Sequence, residues 1–415
     1  MKLSLRILSL CLLLALMLTS IASCEKKKRE TTTTSSSSTA GSTTTLTPST
    51  TVTTTVTAPV TTTTTTPAPT TTTTTPAPTT TTERTPTPFD GLTVVEKGSA
   101  YAIYDLAYGD RVDMSTKASK AASQIYDVYL PALPDKLAAD TPVLLYVHGG
   151  SWSDPSFDKG VDGPWLCQSL AEKGMLVFTM NYVLQNTGGT AKNATVEHML
   201  ADIDAMVTHL ADLLPLLGVE ASAIGIGGTS AGGHLSTTYA YKYGPTAALD
   251  MGFVLDIVGP TDLVTYKKVV DHLISYTGSY AAADQFLRSQ GVSIGLFAGM
   301  AGVEAKEENL AQMWDNLRDV SATTFLSADV CPTILAYAQT DNVPIPSQYL
   351  PAGFKSDGLV DVSCYTAMVE GLTQYGVPHA AQLYEGFGHG DMGWKKPAST
   401  WIISQTLAFA REYLS

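Results

Sequence analysis

The 415 residues carry 25 Lys and Arg against 38 Asp and Glu, a formal charge of −13. Residues 1–88 hold seven basic and three acidic groups, so the remainder of the chain stands at −17. A body that acidic repels phosphate backbones, which argues against nucleic acid as a partner; composition and hydropathy also exclude collagen, a coiled coil and a multispanning membrane protein.

In chain order, Lys2 and Arg6 precede an apolar run from Ile7 to Leu18, and small and polar residues follow. A positive start, a short apolar core and a small-residue exit describe a secretory signal, predicted over residues 1–23. The segment Ile21-Ala22-Ser23-Cys24 resembles the lipobox of bacterial lipoproteins. That resemblance implies acylation of Cys24, anchoring in a lipid bilayer and exposure at a bacterial cell surface. The cluster Lys26-Lys27-Lys28-Arg29 suits anionic headgroups.

From Thr31 to Pro88 the chain is almost entirely Thr, Ser, Pro and Ala, with the repeated unit Thr-Thr-Pro-Ala-Pro-Thr. Such a tract has no apolar set to offset the entropy of folding, and residues 24–88 read as a disordered, solvated stalk. The body at 89–415 is long enough for one large core. It contains Cys167, Cys331 and Cys364, an odd and sparse set that is no disulfide framework. No Cys/His spacing suggests a zinc site, and no cofactor is called for.

Within the body, apolar runs alternate with helical patterns. Strands are expected at Ala100–Tyr108, Gln124–Leu130, Pro142–Val147, Met175–Met180, Ala223–Gly227, Met251–Val258, Pro332–Ala338 and Ala380–Tyr384. Their continuous apolar character fits a parallel sheet buried on both faces. Helical spacing marks Val196–Leu216, Val360–Tyr375 and Thr400–Leu414. This alternation predicts an α/β fold with a mostly parallel sheet flanked by helices. Residues 263–324 break the rhythm as a helical insertion, placed to roof a site at the carboxyl ends of the strands.

The G-x-S-x-G pattern occurs twice, at Gly228-Thr229-Ser230-Ala231-Gly232 and at Gly291-Val292-Ser293-Ile294-Gly295. A nucleophile elbow needs a strand before the serine and a helix after it, which selects Ser230 and leaves Ser293 as a decoy. A serine needs a base, and the base needs an orienting acid. His389, in the glycine-rich stretch Gly386-Phe387-Gly388-His389-Gly390, is the candidate base. Asp341, just past a strand, is the candidate acid, completing the chain order Ser, Asp, His. The loop His148-Gly149-Gly150-Ser151-Trp152 follows another strand. It offers Gly149 and Gly150 N–H groups, with that of Ala231, as oxyanion donors. Trp152 beside it is placed for substrate contact.

These residues together resemble the α/β-hydrolase superfamily, in its esterase/lipase group of hormone-sensitive-lipase-like esterases and bacterial feruloyl esterases. The resemblance spans Tyr104 to the C-terminus and includes His148-Gly149-Gly150, Asn181-Tyr182, the elbow through Leu235, and Gly388-His389-Gly390. It implies a Ser230, Asp341 and His389 triad acting through an acyl-enzyme. The implied substrates are small acyl, acetyl or feruloyl esters, including esterified oligosaccharides from plant polysaccharide. This chain departs from the family pattern at Ser151, at Val183 and at Asp341-Asn342-Val343-Pro344, one residue shorter than the usual Asp-x-x-Val-Pro.

Other readings stand beside these. His198 and Asp202, four apart on one helix, are ordinary helix-face neighbours for want of a third metal ligand. His234 reads as a packed histidine, and Asp256 and Asp262 as alternative acids. A prolyl-oligopeptidase-type peptidase would need a propeller domain that residues 25–88 cannot supply. A catalytically silent binding module would have lost a triad member or a glycine.

Overall fold

In the computed structural model, residues 86–185, 194–290 and 292–414 are described. The signal sequence, Cys24 and all but the last residues of the stalk lie outside them. The described strands are β1 (Val95–Lys97), β2 (Ala100–Ala107), β3 (Ile125–Leu130), β4 (Val143–Val147), β5 (Leu176–Met180), β6 (Ala223–Thr229), β7 (Asp250–Ile257), β8 (Thr333–Gln339) and β9 (His379–Glu385). They form one sheet in the order β1-β2-β3-β5-β4-β6-β7-β8-β9. The pairings β1–β2, β2–β3 and β3–β5 are antiparallel, and those from β5 to β9 are parallel. This is the α/β-hydrolase fold.

Every residue of β4 and β5 is buried. Alternation divides them between two cores: Val143, Leu145, Val147 and Phe178 join one, Leu144, Tyr146 and Val177 the other. A strand with helices on both faces needs apolar side chains at every position, which is why these runs are unbroken. After α1 (Lys117–Ala121), the flanking helices are α2 (Pro164–Ala171), α3 (Val196–Leu216) and α4 (Ala231–Lys242). The expected insertion is present between β7 and β8 as α5 (Lys267–Thr277), α6 (Tyr280–Ser289), α7 (Ile294–Met300) and α8 (Leu310–Arg318). Two more helices, α9 (Ser363–Tyr375) and α10 (Lys396–Tyr413), complete the set.

The polar residues weighed in the sequence have structural partners. His198 Nδ1 accepts the Thr195 N–H at 3.1 Å at the start of α3. Asp202 pairs with Arg111 and accepts from Gln124 Nε2 and the Val183 N–H. Ser293 caps α7, its Oγ accepting the Leu296 N–H at 3.0 Å. Cys167, Cys331 and Cys364 are free thiols. Among the described residues no group of three His, Cys, Asp or Glu side chains is disposed to hold a metal ion.

Candidate active site

The sheet order brings four strand ends together. β4 pairs with β6 in a register that sets Val147 opposite Gly228, so the loop after β4 meets the turn after β6. β8 and β9 pair as far as Gln339 opposite Glu385, which places their following loops side by side.

Ser230 occupies the turn between β6 and α4 with φ 55° and ψ −121°. This is a strained conformation for a residue with a side chain. It is held by the Ser230 N–H on Ile257 O at 2.8 Å and by the His234 N–H on Ser230 O at 3.0 Å. A Cβ on Gly228 would stand 2.3 Å from Val147 O, and one on Gly232 2.0 Å from the same oxygen. Those contacts are to backbone, so both elbow positions admit only glycine.

The loop after β4 is fixed peptide by peptide. Tyr182 stacks on His148, with ring centroids 4.4 Å apart, and donates its hydroxyl to His148 O at 3.1 Å. His148 Nδ1 lies 2.7 Å from Gly149 O, and burial pushes the imidazole pKa down to about 4. A neutral ring donating from Nδ1 fits both facts. The loop continues through left-handed residues, Gly150 at φ 100°, Ser151 at φ 50° and Trp152 at φ 58°. Ser151, where the family pattern has a third glycine, adopts the glycine-like conformation all the same.

The oxyanion expectation needs one correction. The Gly149 N–H is taken by Asp162 Oδ2 at 2.7 Å. The N–H groups of Gly150, Ser151 and Ala231 have no protein acceptor among the described residues.

The carboxylate that meets His389 also differs from expectation. His389 Nδ1 bonds Asp357 Oδ2 at 2.7 Å, not Asp341, which is exposed. Asp357 is 2% exposed, and its Oδ1 accepts the Leu359 and Val360 N–H groups at 2.9 and 2.7 Å. After β8 the chain leaves the sheet and returns so that Ser356 bridges Thr340. Asp357 therefore arrives beside the strand end where Asp341 was expected to act. Burial alone would lower the His389 pKa, but the charge and hydrogen bond of Asp357, with a further contribution from Asp162, raise it above the ordinary histidine value.

Ser230 opens onto a cavity of about 140 Å³ also lined by Ser151 and Trp152. Its walls are largely apolar, with Val269 and Val270 from α5, Leu287 from α6, Leu296 and Phe297 from α7, and Val343 from the loop after β8, while Tyr266 and Gln290 add polar groups. Trp152 is buried, and its Nε1 donates to His234 Nδ1 at 3.2 Å. His234 Nε2 lies 2.8 Å from Val320 O, so this histidine anchors the insertion rather than serving as a base. Asp256 accepts from the Tyr337 hydroxyl and the Gly259 N–H, and Asp262 from the Val264 N–H. Neither bonds to His389.

The BD-FAE family model matches residues 126–349, more than half of the chain. The chain belongs to the BD-FAE family. Its members are esterases of the α/β-hydrolase type. Two solved structures show the same fold in distant sequences. Esterase B from Lactobacillus rhamnosis is 15% identical, with a TM-score of 0.51 over 76% of this chain and 87% of that one. A truncated carbohydrate esterase from gut microbiota is 16% identical, with a TM-score of 0.50 over 75% of this chain and 96% of that one. No curated protein matches the chain.

In this BD-FAE member, the carboxylate that bonds His389 carried a usable sequence signal. Asp357-Gly358-Leu359-Val360 has the full Asp-x-x-Val spacing that Asp341-Asn342-Val343 lacks. The bond from the Val360 N–H back to the Asp357 carboxylate gives that spacing its purpose.

Proposed function

We propose that the protein is a serine carboxylesterase acting on esters of small apolar acyl groups. Ser230 Oγ attacks the ester carbonyl while His389 Nε2 takes its proton, and Asp357 holds the imidazole in the productive tautomer. The N–H groups of Gly150, Ser151 and Ala231 stabilise the oxyanion. The alcohol leaves with the proton from His389, and water activated by the same imidazole then releases the acid from Ser230. The observation that carries this reading is the Asp357–His389 hydrogen bond, in the same sheet-end cluster as the elbow serine and its apolar cavity.

The cavity argues for the acyl group. An apolar cavity of ~150 Å³ takes one benzene ring, so about 140 Å³ suits an acyl body of about six carbons or fewer. A feruloyl group is larger than that body, which favours short acyl chains. A carbohydrate alcohol remains part of the proposal, as does export. In that reading residues 1–23 direct secretion, acylated Cys24 anchors the chain, and 24–88 hold the catalytic body (89–415) away from the bilayer.

Hydrolysis of p-nitrophenyl acetate, butyrate, hexanoate and decanoate, with methyl ferulate alongside, tests this. The expected result is turnover greatest at butyrate or hexanoate and abolished in Ser230→Ala. No turnover of any ester, or turnover indifferent to that substitution, would sink the proposal.

A further inference from the structure

The site holds a second carboxylate that the triad does not use. Asp162 lies between β4 and α2, and its Oδ2 accepts the Gly149 N–H at 2.7 Å and the Tyr146 hydroxyl at 3.4 Å. The Tyr146 hydroxyl is in turn 2.5 Å from Thr229 Oγ1, one residue before the nucleophile. A Cβ on Gly149 would stand 3.3 Å from Ser230 Cβ and 3.4 Å from Asp162 Oδ2, so carboxylate and nucleophile crowd the same glycine. No Lys or Arg pairs with Asp162 among the described residues. The titratable groups that face it are Tyr146 from β4, Tyr182 after β5, Cys167 from α2 and His389 from the loop after β9.

We propose that Asp162 is a positioning residue for the reaction, fixing the oxyanion loop through Gly149 and adding a second negative charge in the field of His389. This rests on the esterase reading above. A trans peptide presents its N–H and C=O on opposite sides. In the His148–Gly149 peptide, Tyr182 holds the carbonyl and Asp162 holds the N–H. In the next peptide, His148 Nδ1 holds Gly149 O, so the Gly150 N–H points the other way. Losing Asp162 frees one of these holds and misaims the donors that follow. Its charge acts separately: a carboxylate facing His389 stabilises the imidazolium formed as Ser230 gives up its proton. Burial pushes the Asp162 carboxyl up to about 6, against the lowering effects of Gly149, Tyr146 and His389. It is therefore ionised at and above neutral pH.

Two substitutions in the full chain separate these roles, read as kcat and KM for p-nitrophenyl butyrate from pH 5 to 9. Asp162→Asn keeps an oxygen for the Gly149 N–H and removes the charge. It should lower kcat at pH 8 by less than Asp162→Ala does and move the acid limb to lower pH, because the imidazolium loses a stabilising neighbour. Asp162→Ala removes the acceptor too, and should lower kcat about tenfold or more with KM within twofold, since one oxyanion donor is worth about 10²–10³. Wild-type kcat in Asp162→Ala, or an acid limb unmoved in Asp162→Asn, overturns the proposal. If the alanine variant does not fold, Asp162→Thr, whose shorter side chain withdraws the acceptor from the Gly149 N–H, is read for the same loss of kcat, and the asparagine profile decides the charge. A wild-type protein inert toward every ester overturns both readings, whereas an active wild type with an indifferent Asp162→Ala overturns only this one.

Discussion

Asp357 Oδ2 lies 2.7 Å from His389 Nδ1, and the carbonyl of Asp357 accepts the backbone N–H of His389 at 2.8 Å. The two residues are thus joined twice, through side chains and through main chain, across a gap of 32 positions. The Asp357 carboxylate cannot reorient without disturbing the loop that presents His389. Asp357→Asn should lower kcat by about 10³–10⁴, because the amide imposes the wrong tautomer on His389. Asp341→Asn, on an exposed side chain, should stay within twofold of wild type. Steady-state kinetics of both variants check this, and the reverse ranking would return the acid to Asp341.

The pH dependence follows from the raised pKa of His389. General-base catalysis needs the neutral imidazole, so raising this pKa moves the acid limb of kcat/KM upward. The limb should centre above 6.5, the ordinary histidine value. The residual activity of Asp357→Asn should show it displaced to lower pH, since the imidazolium has lost its closest negative charge. A wild-type limb centred below 6.5 would contradict the arrangement.

The proposed acyl-chain selection rests on the insertion. Leu296 on α7 lines the cavity and is partly buried. Leu296→Trp should fill much of the ~140 Å³ and lower the hexanoate-to-acetate ratio of kcat/KM about tenfold, as a pocket contact of one or two methylenes would. The ratio is measured with matched p-nitrophenyl esters. An unchanged ratio would move the acyl group to another surface.

Asp256 makes a stability prediction independent of catalysis. Burial pushes its carboxyl up to about 7, despite the Tyr337 and Gly259 hydrogen bonds. A folded pKa above the unfolded value of 3.8 means that the native state holds the proton more tightly. Its stabilising contribution is full below about pH 4, declines as pH rises, and is gone above about pH 7. Asp256→Asn should therefore raise Tm at pH 8 relative to wild type and lose that advantage near pH 4. Tyr337 can accommodate the amide, because its one hydroxyl proton can go to Gly259 O while its oxygen accepts from the amide N–H. Thermal melts at the two pH values test the sign.

The sheet, the helical insertion and the elbow were legible in the sequence because each is set by local chemistry. Unbroken apolar runs such as Val143–Val147, too short for a helix of their own, suit strands covered on both faces, and glycines two residues either side of Ser230 answer contacts with Val147 O that no side chain survives. His389 was legible for a related reason, since glycine-rich sequence after a last strand is where a loop can bend over a sheet edge. Two assignments depended on contacts between segments distant in the chain. The excursion of residues 341–356 ends in a bridge between Thr340 and Ser356 that returns the backbone to the end of β8, so the strand-end position belongs to Asp357. Asp162, 13 residues beyond Gly149, folds back onto it and takes a donor that spacing alone would assign to the oxyanion. A residue's type and its neighbours determine what chemistry it can offer. Which of several carboxylates meets the imidazole or the loop is decided by how long segments return to the sheet, and only tertiary packing sets that.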